Sequence, residues 1–425
     1  MSNNETLPPH YRRNFTAGLI HGIFFQASAA LSSIHTVLPS LVAVLTPAAS
    51  AVGLLASMQN IGRVIPQLYT AYIVDGMKRR KPLLVGIISF RVLSFALLAG
   101  LVYRYGISKP TVVLVALLSL FATFSIFGGM GSVVYADIFS RAIPARRRGR
   151  FAGSKQLIGY TLAVLAGYFV KQILGNSEHS PYPINFTIIL GASAATLSIA
   201  LLGFLMLKEP PTPERRVLQQ RSDLLKTSWR LFKSSRSMQA LLVVQSLIML
   251  TLSVAPFFVI HAKQDLKIPL GTVGIYLSLQ MAGAALSNIL WAWLADRFGN
   301  RIVILGAALA VMLASALAWL TPASLGWLYG GVFLLLGSAI SGTQVGFQNI
   351  ILEMADDVAR PVCVAIRNTA LLPIAIAPLL VGLSRHWLSY PTIFALAAGL
   401  SLAAILLGLS MLPEPRHHPE SVCTL

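Results

Sequence analysis

Runs of about 20 apolar residues, the length that crosses a bilayer core at a rise of about 1.5 Å per residue, alternate with short polar segments along the whole chain. Backbone inside hydrocarbon must satisfy its own hydrogen bonds, so such runs are predicted to be helices. The pattern predicts twelve, over residues 16–42, 50–74, 82–103, 111–136, 151–173, 184–207, 238–260, 271–295, 302–320, 327–352, 362–383 and 391–412. Most connections are brief, such as 104–110 and 321–326. One is long: residues 208–237, rich in Pro and Arg at its start.

The stretch from Val52 to Arg80 occurs twice. Shifted by 221 residues it lands on Val273 to Arg301 without a gap, pairing Gly53 with Gly274, Ser57 with Ser278, Gln59 with Gln280, Gly62 with Gly283, Asp75 with Asp296 and Arg80 with Arg301. A repeat at about half the chain length divides the chain into two homologous six-span halves. They are residues 1–207 and 238–425, joined by the linker 208–237. The linker alternates Leu218, Leu224, Leu225, Trp229, Leu231 and Phe232 with basic residues. Two readings of it stay open, an amphipathic helix on anionic headgroups and a solvated tether.

Composition agrees with a membrane protein. Of 425 residues, 56% are hydrophobic and 11% charged, against about a quarter charged in soluble domains. The formal charge of +19 would suggest a nucleic-acid partner in a soluble chain, but its placement points elsewhere. With the N-terminus inside, inner segments carry 23 Lys and Arg and outer ones six. That asymmetry predicts both termini in the cytoplasm and no nucleic-acid partner; the plasma (inner) membrane is the expected location. Arg12 and Arg13 precede the first apolar run, which is expected to be a retained span. The two cysteines, Cys363 and Cys423, offer no disulfide framework and no metal spacing, so neither metal nor cofactor is expected. The run from Gly149 to Lys155 has a glycine-and-lysine flavour, but a phosphate loop needs its Gly-Lys-Ser/Thr ending and a preceding strand. No enzyme is expected, and any uphill work falls to an ion or solute gradient.

At the ends of the repeated stretch the residues become specific. Ala292-Trp293-Leu294-Ala295-Asp296-Arg297-Phe298-Gly299-Asn300-Arg301 resembles the major facilitator superfamily signature Gly-x-Leu-Ala-Asp-Arg-x-Gly-Arg-Arg. The first copy, Ala71 to Arg80, is looser, with Lys78 in place of the internal glycine. The resemblance implies an all-α membrane fold of two pseudo-symmetric six-helix bundles around a cavity that opens alternately to each side. It also implies a conformational gate. Asp75 would cap the eleventh helix, where the helix dipole favours negative charge. Arg79 and Arg80 would pair with Asp137 at the end of the fourth helix, and Asp296, Arg297 and Arg301 would work with Glu353 in the second half. Proton-driven drug antiporters of the family carry an arginine in the fourth helix and Gly-Pro in the fifth. This chain has neither in its spans 111–136 and 151–173.

Polar residues at membrane depth are functional candidates. Gln59, Arg63 and Gln67 share one helical face at spacing four. Arg63 stands 12 residues before Asp75, about 18 Å from the helix end and too deep for easy snorkelling. Its repeat mate is Ala284, so the charge belongs to the first half alone. Arg91 lies about 15 Å deep by the same rise, and it is weighted lower because third helices of the family are peripheral. No acid reaches mid-depth, and unpaired guanidinium charge invites an anionic ligand, held by paired hydrogen bonds. The bland alternative is that backbone carbonyls or amides satisfy each arginine. Gln245, Gln280, Gln344 and Gln348 are further polar candidates, each also explicable as helix-packing glue. His21 and His35, 14 residues apart on nearly one face of the first span, are candidates for proton coupling, His35 also for substrate contact. Lys155 and Arg367 are expected to snorkel to the interface.

The expected function is secondary active transport of a small organic or phosphorylated anion by alternating access; a proton is a candidate coupling ion, and the sequence does not assign it. Proton-coupled efflux of hydrophobic or cationic compounds is the alternative, and a non-transporting membrane sensor a more distant one. The gate reading carries a test. Asp75→Ala is expected to lower the population with the cytoplasmic side shut, read by paired-label distances across the cytoplasmic helix ends; unchanged populations would remove Asp75 from the gate.

Overall fold

The computed structural model describes residues 8–176, 178–211, 232–233, 235–355 and 360–416. The chain is all-helical, with no strand among the described residues. In order it forms α1 Tyr11–Leu31, α2 Val37–Leu45, α3 Ala49–Asp75, α4 Lys81–Tyr105, α5 Pro110–Ala142, α6 Ala145–Gly175 and α7 Ile184–Met206. There follow α8 Arg236–Leu252, α9 Ala255–Gln264, α10 Thr272–Phe298, α11 Asn300–Leu320, α12 Gly330–Met354, α13 Arg360–Ala370, α14 Ala377–Ser384 and α15 Tyr390–Met411. Short 3₁₀ turns, Ala323–Tyr329 and Leu372–Ile376, precede α12 and α14. Ten helical stretches from Lys81 onward are long and apolar enough to cross a membrane; α1 with α2, and α3, supply the remaining two of the twelve spans. The linker's amphipathic residues, apart from Phe232 and Lys233, lie outside the described residues, as do Cys423 and the side chains of Asp75 and Arg360.

Three spans expected to be continuous are broken, and prolines account for the breaks. Proline lacks the N–H that bonds the carbonyl four residues earlier and clashes with it. Pro256 faces Leu252, where α8 stops. Pro39 faces His35, within the break between α1 and α2. There Ser32 Oγ bonds the Ser28 carbonyl at 2.7 Å and Ser40 Oγ the Thr36 carbonyl at 2.7 Å. Pro373 and Pro378 shape the 3₁₀ segment between α13 and α14. The break at 32–36 ends the phase relation that put His21 and His35 on one face.

The described residues divide into two compact units. The first holds α1, α3 from Met58 onward, and α4 to α7. Within it α1 packs against α6 and α7, and α4 against α5 and α7. Ser28 and Ser193 join α1 to α7 reciprocally, each hydroxyl donating to the other's carbonyl, at 3.0 and 3.2 Å. The second unit holds residues 34–43 and 47–57 together with the helices from α8 on. There the Leu379 N–H donates to Ser57 Oγ at 3.0 Å, tying the start of α3 to α14. Trp291 Nε1 donates to the Ser338 carbonyl at 3.1 Å, and Ser401 Oγ to the Ala308 carbonyl at 2.8 Å.

One crossing occurs in both units. In the first, a Cβ on Gly129 of α5 would stand 2.4 Å from the carbonyl oxygen of Gly62 in α3. In the second, a Cβ on Gly337 of α12 would stand 1.9 Å from the Gln280 carbonyl oxygen, and one on Gly283 of α10 would stand 2.1 Å from the Leu334 carbonyl oxygen. Gly62 and Gly283 are repeat mates, so backbone-to-backbone contact of these helix pairs is the duplicated feature. Small residues permit that approach, which drives helix association inside lipid. Gly337→Ala is expected to cost about 1–3 kcal/mol by overpacking, read as a lower melting temperature of detergent-solubilised protein. Gly399→Ala, whose Cβ would meet nothing within 4 Å, is the control expected to melt unchanged.

Candidate functional site

The middle of the first unit collects positive charge. Pro66, inside α3, leaves the Gly62 carbonyl without its i+4 donor, and Gly129 of α5 packs on that carbonyl. Arg63 projects from this turn. Its side chain is exposed, and it makes no hydrogen bond or ion pair with any described residue. Its neighbour one turn on, Gln67, donates to Ser132 Oγ of α5 at 3.1 Å, while Gln59, one turn back, is half-buried.

Arg91 is not peripheral, contrary to the expectation from its place in the third span. It is only 7% exposed, because its guanidinium lies 3.9 Å from the Phe124 ring centre of α5 and 5.1 Å from that of Phe25 of α1. Its Nε is buried without a hydrogen-bond partner. Arg63 is within electrostatic reach of it. Lys155 does not snorkel outward either. Its stem lies over Gly22 of α1, and its Nζ stands 5.6 Å from the ring centre of Tyr135 and 5.8 Å from that of Phe151. His21 is a packing group: its ring stacks on Phe204 at 3.7 Å and its Nδ1 lies 3.2 Å from the Ala200 carbonyl.

In the second unit the candidate glutamines separate by burial. Gln245 and Gln280 are buried with their Oε1 atoms unpartnered, whereas Gln344 and Gln348 are exposed. His35 is half-buried in the break before α2. Arg367 bonds the Phe347 carbonyl at 3.1 Å, tying α13 to α12 rather than reaching for an interface.

At the basic end of each unit the candidate gate residues form compact networks. Asp137 of α5 accepts from both Arg80 and Arg141. Arg141 also donates to the carbonyls of Pro210 and Pro211, at 2.8 and 2.9 Å. Arg79 is exposed. In the second unit Glu353 is held by Arg416, at 2.6 and 3.0 Å, and not by Arg301 as the parallel with the first half implies. Arg301 instead donates to the carbonyls of Gly408 and Leu409 at the end of α15. Asp296 is exposed, and Arg297 lies over Trp293 and Phe298.

Two glutamates that the sequence reading passed over complete these networks. Glu209 accepts from the N–H groups of Arg80 and Lys81 at 2.7 and 3.0 Å, satisfying orphan donors at the start of α4, where the helix dipole favours an anion. Glu414 does the same for α11 through the Arg301 N–H at 2.9 Å. In exchange, Lys81 Nζ covers the carbonyls of Leu205 and Leu207 at the end of α7, at 2.8 and 2.7 Å. The signal was present as a second repeat, Leu207-Lys208-Glu209-Pro210 and Leu412-Pro413-Glu414-Pro415. Gly299 makes room for the second copy. Its φ is +90°, and a Cβ there would stand 2.2 Å from the Glu414 carboxyl carbon.

The profile of the Major Facilitator Superfamily matches residues 20–261 and again 241–422. The chain belongs to the major facilitator superfamily. Its fold is that of solved transporters of this kind. It superposes on a D-xylose-proton symporter with a TM-score of 0.74 at 15% identity, over 95% of this chain and 98% of that one. The nucleoside transporter NupG gives 0.69 at 15% identity, over 94% and 98%. A bacterial homologue of the iron transporter ferroportin gives 0.66 at 15% identity, over 94% and 98%. No curated protein matches across the sequence comparison. This superfamily member is therefore a polytopic integral membrane transporter.

The glutamate caps carry a test. Glu414→Ala and Glu209→Ala are each expected to destabilise by about 1–2 kcal/mol, the usual cost of a lost N-cap, read as lower melting temperatures in detergent. Melting unchanged in both would show that the two carboxylates do not hold their helix starts.

Proposed function

We propose that this protein is a secondary active transporter that moves a small organic or phosphorylated anion by alternating access between two six-span halves, residues 1–207 and 238–425. The observation that carries this reading is Arg63: a mid-span guanidinium, exposed on its helix, with no hydrogen bond or counter-ion among the described residues. A cation in that setting is expensive unless something anionic arrives to pair with it. Gln59 and Gln67 flank it one turn away on either side and supply donors and acceptors for the rest of a polar solute. Gln245, Gln280, Gln344 and Gln348, and His35, are the further polar groups proposed to contact the solute.

Efflux of lipophilic cations would call for a carboxylate at mid-depth. Asp137 is the acid of the described α5, and it is already shared between Arg80 and Arg141 near the helix end. The packing of His21 against Phe204 and the Ala200 carbonyl favours a structural part for it. The proposed topology has both termini and the basic helix ends in the cytoplasm, on the strength of the Lys and Arg asymmetry, and the proposed location is the plasma membrane. One structural relative is by name a proton symporter, and a proton is the proposed coupling ion here.

A thermal-shift screen of purified protein tests the substrate class. Ligand at 100 times its Kd stabilises by about 2.7 kcal/mol, so small anions are expected to raise the melting temperature, and Arg63→Ala to abolish the rise. Stabilisation by lipophilic cations alone would overturn the reading. Proteoliposome flux under an imposed pH gradient tests coupling; flux indifferent to the gradient would exclude the proton.

A further inference from the structure

We propose that Arg63 and Arg91 together form one site, within the first unit, for an anion bearing two negative charges, such as a phosphate monoester or a dicarboxylate. This rests on the anion reading of Arg63 and extends it to a second residue and a charge class.

Two adjacent glycines of α5 bring the arginines together. A Cβ on Gly129 would lie 2.9 Å from the Arg63 carbonyl oxygen, and a Cβ on Gly128 would lie 3.4 Å from Arg91 Nη2. The backbone at Arg63 and the guanidinium of Arg91 therefore meet the same turn of α5, from α3 and α4. Arg91 is more than nine-tenths buried, yet no described residue gives it a hydrogen bond or a negative charge. The faces of Phe124 and Phe25 hold the plane of its guanidinium. Cation–π contact offsets part of the cost of burial, but it neutralises nothing.

The charged and titratable groups around Arg91 add to the imbalance. Arg63 of α3 lies within electrostatic reach of it, and His21 of α1 lies within electrostatic reach of both Arg91 and Lys155 of α6. Asp137 is nine residues beyond Gly128, about 13 Å along α5, and is paired with Arg80 and Arg141. A singly charged ligand at Arg63 would leave Arg91 uncompensated. A ligand with two charges would compensate both, and the planar guanidinium matches phosphate and carboxylate oxygens in paired hydrogen bonds.

Calorimetric binding of methyl phosphate, succinate and acetate to the purified full-length protein tests this. A phosphate monoester loses its second proton near pH 6, so dianion-selective binding predicts that methyl phosphate affinity rises about fourfold between pH 5.5 and 7.5. Acetate, singly charged throughout, is expected to change less than twofold and controls for titration of His21. At pH 7.5 succinate is expected to bind at least tenfold more tightly than acetate. Arg91→Gln is expected to erase that preference by lowering succinate affinity at least tenfold, and Arg91→Lys, which keeps the charge, to retain most of it. Methyl phosphate affinity flat with pH in the unaltered protein, or succinate bound no better than acetate, would overturn the two-arginine site whatever the variants do. Succinate binding that depends on Arg63 but not on Arg91 would do so too, while leaving the anion reading intact. Failure of all three anions to bind would remove both.

Discussion

A helix in a bilayer satisfies its middle by itself and leaves its ends as a liability, since a stranded backbone N–H or C=O costs several kcal/mol in hydrocarbon. Both units meet that demand by exchange. The glutamate after α7 caps the start of α4, and the first residues of α4 cover the carbonyls at the end of α7. In the second unit Glu414 caps α11, and Arg301 covers the end of α15. Much of the charge at the basic end is thereby occupied in closing helices. Lys81, Arg141, Arg301 and Arg416 each donate to backbone carbonyls. The same demand explains the interrupted spans. Proline removes a donor in α2, α9 and the segment around α14, and the chain there turns rather than leave a carbonyl exposed.

Duplication and specialisation are separable in this molecule. The glycine crossing of α3 on α5 has its counterpart in α10 on α12, with Gly62 and Gly283 in the same role. At the next position the halves part, Arg63 in one and Ala284 in the other. Ala284 is buried, as a packing position would be, while Arg63 is exposed and has no partner among the described residues. The scaffold is common property; the charge is an addition to the first half. Because Gly128 and Gly129 are adjacent, the turn that lets α3 approach is also the turn against which Arg91 rests.

The helical class, the twelve spans, the duplication and the depth of Arg63 were legible from the one-dimensional pattern. They follow from local quantities: the length of an apolar run, the rise per residue, and a fixed offset between copies. The pairing of Arg80 with Asp137 was anticipated through the family resemblance. Glu209 and Glu414 were legible too, as a second repeat, but one masked by its position at the edge of a charged linker.

Other features depended on which surfaces meet. The partner of Glu353 is Arg416, because Arg301 is drawn to the carbonyl end of α15, and no spacing in the chain encodes that competition. Arg91 sits on the third span, which the family resemblance placed at the periphery, yet it is buried against aromatic rings from α1 and α5. Residues 34–43 and 47–57 belong by sequence to the first half and pack with the second unit. The sequence alone determined that this chain crosses the membrane as a doubled bundle with unmatched deep charge in its first half, since hydrophobic length and charge depth are properties of single segments. Only the tertiary structure decided what surrounds that charge, since the neighbours of a buried guanidinium come from helices far apart along the chain.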